Sequence, residues 1–283
     1  MSLVVHPSRF LHYNSGAFVS RGEACLVDPG ILADEVDALV GEVEGAAIRY
    51  VVLTHADWDH VLGPEHVSAS TVVAHEAYRD ELDADRIRAA LAELEEHAGV
   101  SRERSFEPPL PDITFGDETM LSVGDLELRL EHAPGHSASM LTVYEPASAA
   151  LWAADVLSDV EIPSVIDDLA AYEGTLGRLA KLEIRTLVPG HGTPTSDLGE
   201  IARRIDEDRR YLAELRSAVA DAVEAGRTLE EAVAACGRVS LRRAIEDETL
   251  HRLNVEKAYA DLGGDADPGE VGFARAWKDA TRA

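Results

Sequence analysis

The 283-residue sequence predicts an α+β protein, with two packed β-sheets, helices outside them and an all-helical C-terminal extension. Three observations predict it. Strand-like apolar runs come in groups, without strict strand–helix alternation, which argues against one doubly wound sheet. Beyond Thr195 the apolar spacing becomes helical throughout. Hydrophobic residues make up 46% of the chain, enough for a sizeable core, yet no apolar run reaches the roughly 18 residues of a membrane span.

In order along the chain, Ala17 to Val19 and Ala24 to Val27 read as strands joined by a hairpin turn at Arg21-Gly22-Glu23. Asp28-Pro29-Gly30 stops the second strand. Leu32, Val36, Leu39, Val40 and Val43 share one face of a helix expected from Ala33 to Val43. Tyr50 to Leu53 and Thr71 to Ala74 are buried strands. A polar helix from Glu76 to Ala98 carries only a thin stripe of Leu82, Ile87, Leu91 and Leu94. Pro108, Pro109 and Pro111 mark a crossing loop. Strands resume at Ile113, Thr119 to Leu121, Leu126 to Glu131, Met140 to Tyr144 and Leu151 to Ala154. Leu169 to Leu182 is a helix and Ile184 to Val188 the last strand. From Asp197 to Ala225 the chain reads as one long helix, and Thr228 with Glu231 forms a capping box before the next. These changes place domain boundaries at 1–196 and 197–283, with 263–283 as a loosely packed tail.

Acidic residues number 53 against 26 basic ones, a net charge of −27, and only three of the bases are Lys (Lys181, Lys257, Lys278). Broad nucleic-acid binding needs clustered Lys and Arg, so long nucleic acids are excluded as partners. The acidity fits either an acid-rich proteome or a carboxylate surface suited to high salt. Cys25 and Cys236 are too few for a disulfide framework. Met1 to Phe10 shows no secretory pattern, so a cytoplasmic location is expected, without membrane attachment.

The chemistry concentrates at strand ends. Thr54-His55-Ala56-Asp57-Trp58-Asp59-His60 follows the strand Tyr50 to Leu53 and holds four metal-competent groups. His55 and Asp57, two apart in an extended segment, should point the same way, whereas the neighbours Asp59 and His60 should diverge. So many polar groups beside a buried strand carry a desolvation cost that something must offset. His136 in Pro134-Gly135-His136, Asp155 after Leu151 to Ala154, and His191 in Pro189-Gly190-His191 each follow a further strand. Trp58 reads as a core anchor, His75 as a helix-entry residue and His132 as a structural residue on a strand, with a hydrogen-bonding role behind a ligand as its alternative. Ser137 reads as a turn hydroxyl, and no GxxxxGK phosphate loop is present.

The run His55-Ala56-Asp57-Trp58-Asp59-His60, with the later Gly135-His136, Asp155 and Gly190-His191, resembles the His-x-His-x-Asp-His signature of the metallo-β-lactamase-fold hydrolases. The resemblance spans residues 10–195 and includes the Asp28-Pro29-Gly30 turn. It implies a four-layer αββα sandwich holding two divalent metal ions, zinc first, with iron or manganese as alternatives. Carried over, His55 and His136 would bind the first metal, Asp59, His60 and His191 the second, and Asp155 would bridge both. Asp57 stands where the family usually has its second His. Three carboxylates against two divalent ions bring the cluster near neutrality with a hydroxide, and this favours harder ions.

The resemblance implies hydrolysis by a metal-bridging hydroxide, with Asp59 as the catalytic residue that orients it. A small ester, thioester or lactone is the expected substrate, as in the glyoxalase II and lactonase branches. The alternatives are phosphodiester hydrolysis on the same fold and di-iron oxygen or redox chemistry. Arg79, Arg86, Arg88, Arg102 and Arg104 are candidate anion contacts, set against an ordinary solvated helix face. The apolar stripe of the C-terminal helices must be covered, either by the chain itself or in a homodimer.

Overall fold

The computed structural model describes residues 2–67, 70–99, 106–237 and 247–280. Two β-sheets, of six and of five strands, form with α-helices. The chain comprises two compact units, Met1–His132 with Ser139–Ser148, and Ala133–Ala138 with Ala149–Ala283.

In the first unit the six-stranded sheet runs in sequence order. It comprises β1 (Ser2–Pro7), β2 (Asn14–Ser20), β3 (Glu23–Val27), β4 (Ala47–Val52), β5 (Thr71–His75) and β6 (Ile113–Phe115). The β2–β3 hairpin turns through Arg21 (φ 50°) and Gly22 (φ 77°), the two positive φ values whose twist matches antiparallel strands. From β3 to β6 all pairing is parallel, with α1 (Ala33–Glu42) crossing between β3 and β4. This geometry sends the C-terminal ends of β3 and β4 to one edge. β7 (Glu118–Val123), β8 (Leu126–His132) and β9 (Leu141–Glu145) form an antiparallel meander in the same unit. Its β7–β8 turn docks on the β2–β3 turn, where Gly124 N donates to Glu23 at 2.9 Å and Arg21 pairs with Asp125 at 2.6 Å. The core beneath the six-stranded sheet includes Tyr13, Leu26, Leu39, Leu53, Leu62 and Tyr78.

The helix expected over residues 76–98 is broken into α2 (Tyr78–Glu81) and α3 (Ala84–Ala98). Asp83 breaks it: its carboxylate accepts from Asp85 N and Arg86 N, so it caps a new helix instead of continuing the old one. β1 was not anticipated, because an edge strand with half-buried residues on both faces shows no alternation.

In the second unit β10 (Ala150–Trp152) and β11 (Thr186–Val188) pair in parallel. Around them lie α4 (Leu169–Leu179), α5 (Leu198–Glu224), α6 (Leu229–Cys236), α7 (Asp247–Asp261) and α8 (Gly272–Ala280). Asp197 caps α5, and both hydrogen bonds of the Thr228–Glu231 capping box are present. The expected loose tail over 263–283 is corrected. Val271 and Phe273 are buried, and Gly272 N donates to the buried Glu256 at 2.9 Å, so α8 is anchored. The Gly, Asp and Pro of 263–269 end one helix and start the next.

Candidate metal centre

Thr54 to His60 follow the C-terminal end of the parallel strand β4, the end at which such sheets usually bind ligands. His55 Nε2 lies 3.7 Å from Asp57 Oδ2, as the two-residue spacing requires. Asp59 and His60 do not diverge. Trp58–His60 is a single 3-10 turn, which brings His60 Nε2 to 3.7 Å from Asp59 Oδ2. The His55 and His60 rings meet at 4.0 Å between centroids. All four side chains therefore converge within the first unit.

Behind them sits Asp28, whose role the sequence reading missed. It is fully buried and has a positive φ of 42°, a strained conformation for a non-glycine residue. Its carboxylate accepts from Thr54 N at 2.7 Å and Thr54 Oγ1 at 2.6 Å, and it lies 3.0 Å from His60 Nδ1. A carboxylate on Nδ1 leaves Nε2 as the ligating nitrogen and raises its basicity. The Asp28-Pro29-Gly30 turn stops β3 and belongs to the resemblance, but nothing in it names Thr54 and His60 as its partners.

In the second unit, β10 and β11 run parallel with Trp152 opposite Val188. Asp155 and His191 each follow three residues later, so they emerge side by side, with His191 Nε2 at 3.6 Å from Asp155 Oδ2. His136 Nε2 lies 3.4 Å from the same oxygen, while its Nδ1 faces the Ser164 carbonyl at 3.1 Å. Two glycines make this packing feasible. A Cβ on Gly190 would stand 2.2 Å from Asp155 Oδ1, and one on Gly135 (φ 126°) would stand 2.3 Å from the Tyr172 backbone. Ala154 has φ 52°, a second strained residue directly before a site carboxylate.

All seven side chains fall in His/Asp groups competent to hold a metal ion. Imidazoles mixed with carboxylates suit zinc, iron and manganese alike. The glycine cradle around Asp155 and the carbonyl-anchored His136 fit such a role.

Of the arginines, Arg86 pairs with Asp57 at 3.1 Å. Arg79 donates to the Pro111 carbonyl, and Arg88 contacts Asp85, Glu107 and the Phe106 carbonyl. Arg102 and Arg104 lie outside the described residues. Trp58 packs on the core as expected. His75 accepts from Ala77 N and stacks on His132 at 3.8 Å; burial, and then the charge of His132, lowers its pKa.

The model of the metallo-beta-lactamase superfamily matches residues 9–191, more than half of the chain. The Beta-lactamase-like protein 2 homolog of Caenorhabditis elegans is 25% identical over 214 residues, 71% of this chain and 65% of the relative. The chain spans less than two thirds of the length of the curated relatives it matches. Among solved structures, the inverting sec-alkylsulfatase Pisa1 of Pseudomonas sp. aligns with a TM-score of 0.68 at 17% identity, over 90% of this chain and 48% of that one. TTHA1623 in a di-iron-bound form aligns with a TM-score of 0.53 at 24% identity, over 72% and 98%. At these identities the likenesses show the fold. With two sheets flanked by helices, and the signature residues gathered at strand ends, the chain belongs to the metallo-beta-lactamase superfamily.

Proposed function

We propose that this chain is a dinuclear metal-dependent hydrolase of a small ester, thioester or lactone. The observation that carries the reading is the set of seven metal-competent side chains, each delivered from a strand end. In this reading residues 1–196 form the catalytic domain and 197–283 a helical extension. His55, Asp57 and His136 would hold one ion, Asp59, His60 and His191 the other, and Asp155 would serve both. Two divalent ions, when bound, acidify a water and polarise the electrophilic oxygen. Asp59 accepts the nucleophile's hydrogen bond and aims it. Asp28 fixes the tautomer of His60, and the Ser164 carbonyl that of His136. Arg86 holds Asp57 through one oxygen, and so tempers the charge that this carboxylate brings to its ion.

Asp57 favours a second reading of the metal. A carboxylate there suits iron or manganese, and a structural neighbour, TTHA1623, is a di-iron form. Oxygen or redox chemistry is the function that would accompany iron. The net charge of −27 argues for a small substrate, not a long nucleic acid. No helix among the described residues is long and apolar enough to cross a membrane. A cytoplasmic location completes the proposal, and the burial of Ile201, Leu212, Leu215 and Val219 on α5 within the chain supports packing on the chain itself over a homodimer.

The test is a panel of thioester, lactone, aryl ester and bis-aryl phosphate substrates, each assayed with zinc, manganese and iron. Turnover of a carbonyl substrate with at least one metal is expected. Turnover of the phosphodiester alone would replace this reading with the phosphodiesterase one.

A further inference from the structure

We propose that Asn254 and Arg204, on helices beyond residue 196, are positioning residues for the metal-binding loops of the second unit. The inference rests on the ligand assignment above and deepens it by naming what fixes the ligands' geometry.

Asn254 lies on α7 and is fully buried. Its Nδ2 donates to the Pro163 carbonyl at 2.6 Å and to the Tyr211 hydroxyl at 2.8 Å, and its Oδ1 accepts from Val165 N at 2.8 Å. The amide thus clamps the backbone on both sides of Ser164. The Ser164 carbonyl is the group that faces His136 Nδ1 at 3.1 Å. A histidine that donates from Nδ1 presents Nε2 as its ligating atom, and the orientation of the ring follows the acceptor. The helix itself needs only an apolar residue here. A buried amide is retained without loss only where its hydrogen bonds are met, and here they are met by that loop.

Arg204 performs the corresponding task from α5. It is 2% exposed. Its guanidinium donates to the Leu157 carbonyl at 3.3 Å and lies 3.3 Å from Asp159 Oδ2, with Nε on Glu200 at 2.8 Å. Asp159 Oδ1 in turn accepts from Thr193 N at 2.7 Å. One buried fork therefore grips the chain two residues after Asp155 and, through Asp159, two residues after His191. Leu157 has φ 61°, a conformation that persists only where its surroundings enforce it. The loops of Asp155 and His191, and the carbonyl that faces His136, are thus all pinned from the C-terminal helices.

The experiment compares wild type, Asn254→Leu, His136→Ala and Val255→Ala. Val255 is a buried apolar neighbour of Asn254, and its truncation perturbs the same helix without touching the clamp. Zinc affinity and stoichiometry are read by chelator competition, thermal melting by circular dichroism, and the His136 Nδ1–H by 15N NMR of zinc-loaded protein. Asn254→Leu should weaken one of the two zinc equivalents by about ten- to a hundredfold and lose the slowly exchanging imidazole N–H. Val255→Ala should lower the melting temperature and leave both readouts unchanged. Arg204→Lys, which keeps the charge and loses the fork, should weaken zinc to a similar degree. If Asn254→Leu fails to fold, Asn254→Ser carries the same comparison. Asn254→Leu binding both ions like wild type, while His136→Ala loses one, would overturn the positioning role alone. His136→Ala binding both ions like wild type would overturn the ligand assignment, and the inference with it.

Discussion

Gly190 is the residue on which the second unit's cluster depends most narrowly. A Cβ there would stand 2.2 Å from Asp155 Oδ1, inside any real contact distance. Gly190→Ala should therefore displace the carboxylate and weaken metal binding by at least about tenfold, with far-UV circular dichroism unchanged. Isothermal titration with zinc checks this, and wild-type affinity in the variant would refute it. At this scale the sequence was informative wherever chemistry and spacing coincide. His55 and Asp57 lie together because a two-residue step in extended chain leaves no alternative. Asp59 and His60 were misread because a 3-10 turn replaces the extended chain after Asp57. Asp28 and Asn254 were not legible as partners. Their hydrogen bonds span 26 to 91 residues of sequence, and no local pattern encodes such pairings.

Among the elements, α5 carries a charge network with a definite pH signature. The Arg203 and Arg204 guanidinium groups hold the Glu200 carboxylate down to about 2, from an ordinary 4.5. A depressed carboxylate stabilises the fold fully above its unfolded pKa and loses that contribution as pH falls through the folded value. Stability should thus decline between pH 4.5 and 2, and Glu200→Gln should flatten part of that decline in acid unfolding followed by circular dichroism. An unchanged acid profile in the variant would remove this network from the account. Helices with strong caps were readable, as Asp197 and Thr228 illustrate. The break at Asp83 was not, because an aspartate inside a polar helical run looks the same whether it caps or faces solvent. β1 escaped because edge strands lack alternation, and α8 because the Gly, Asp and Pro before it resemble a tail.

For the whole molecule, the net charge of −27 sets a self-repulsion that salt should screen. The melting temperature should rise from dilute buffer into molar KCl; a maximum in dilute buffer would rule out a surface built for salt. The two-sheet architecture was legible because strands arrive in groups, and the superfamily because its signature is short and ordered. The substrate was not legible, since the motif over residues 55–60 names metal-competent groups and no substrate contact. The central claim is that two metal ions sit among seven side chains with Asp155 shared between them, and elemental analysis of protein purified without added metal tests it most directly. Two equivalents per chain in wild type, falling to one or none in Asp155→Ala, is the predicted result. A metal-free wild type, or a variant that keeps both equivalents, would contradict it.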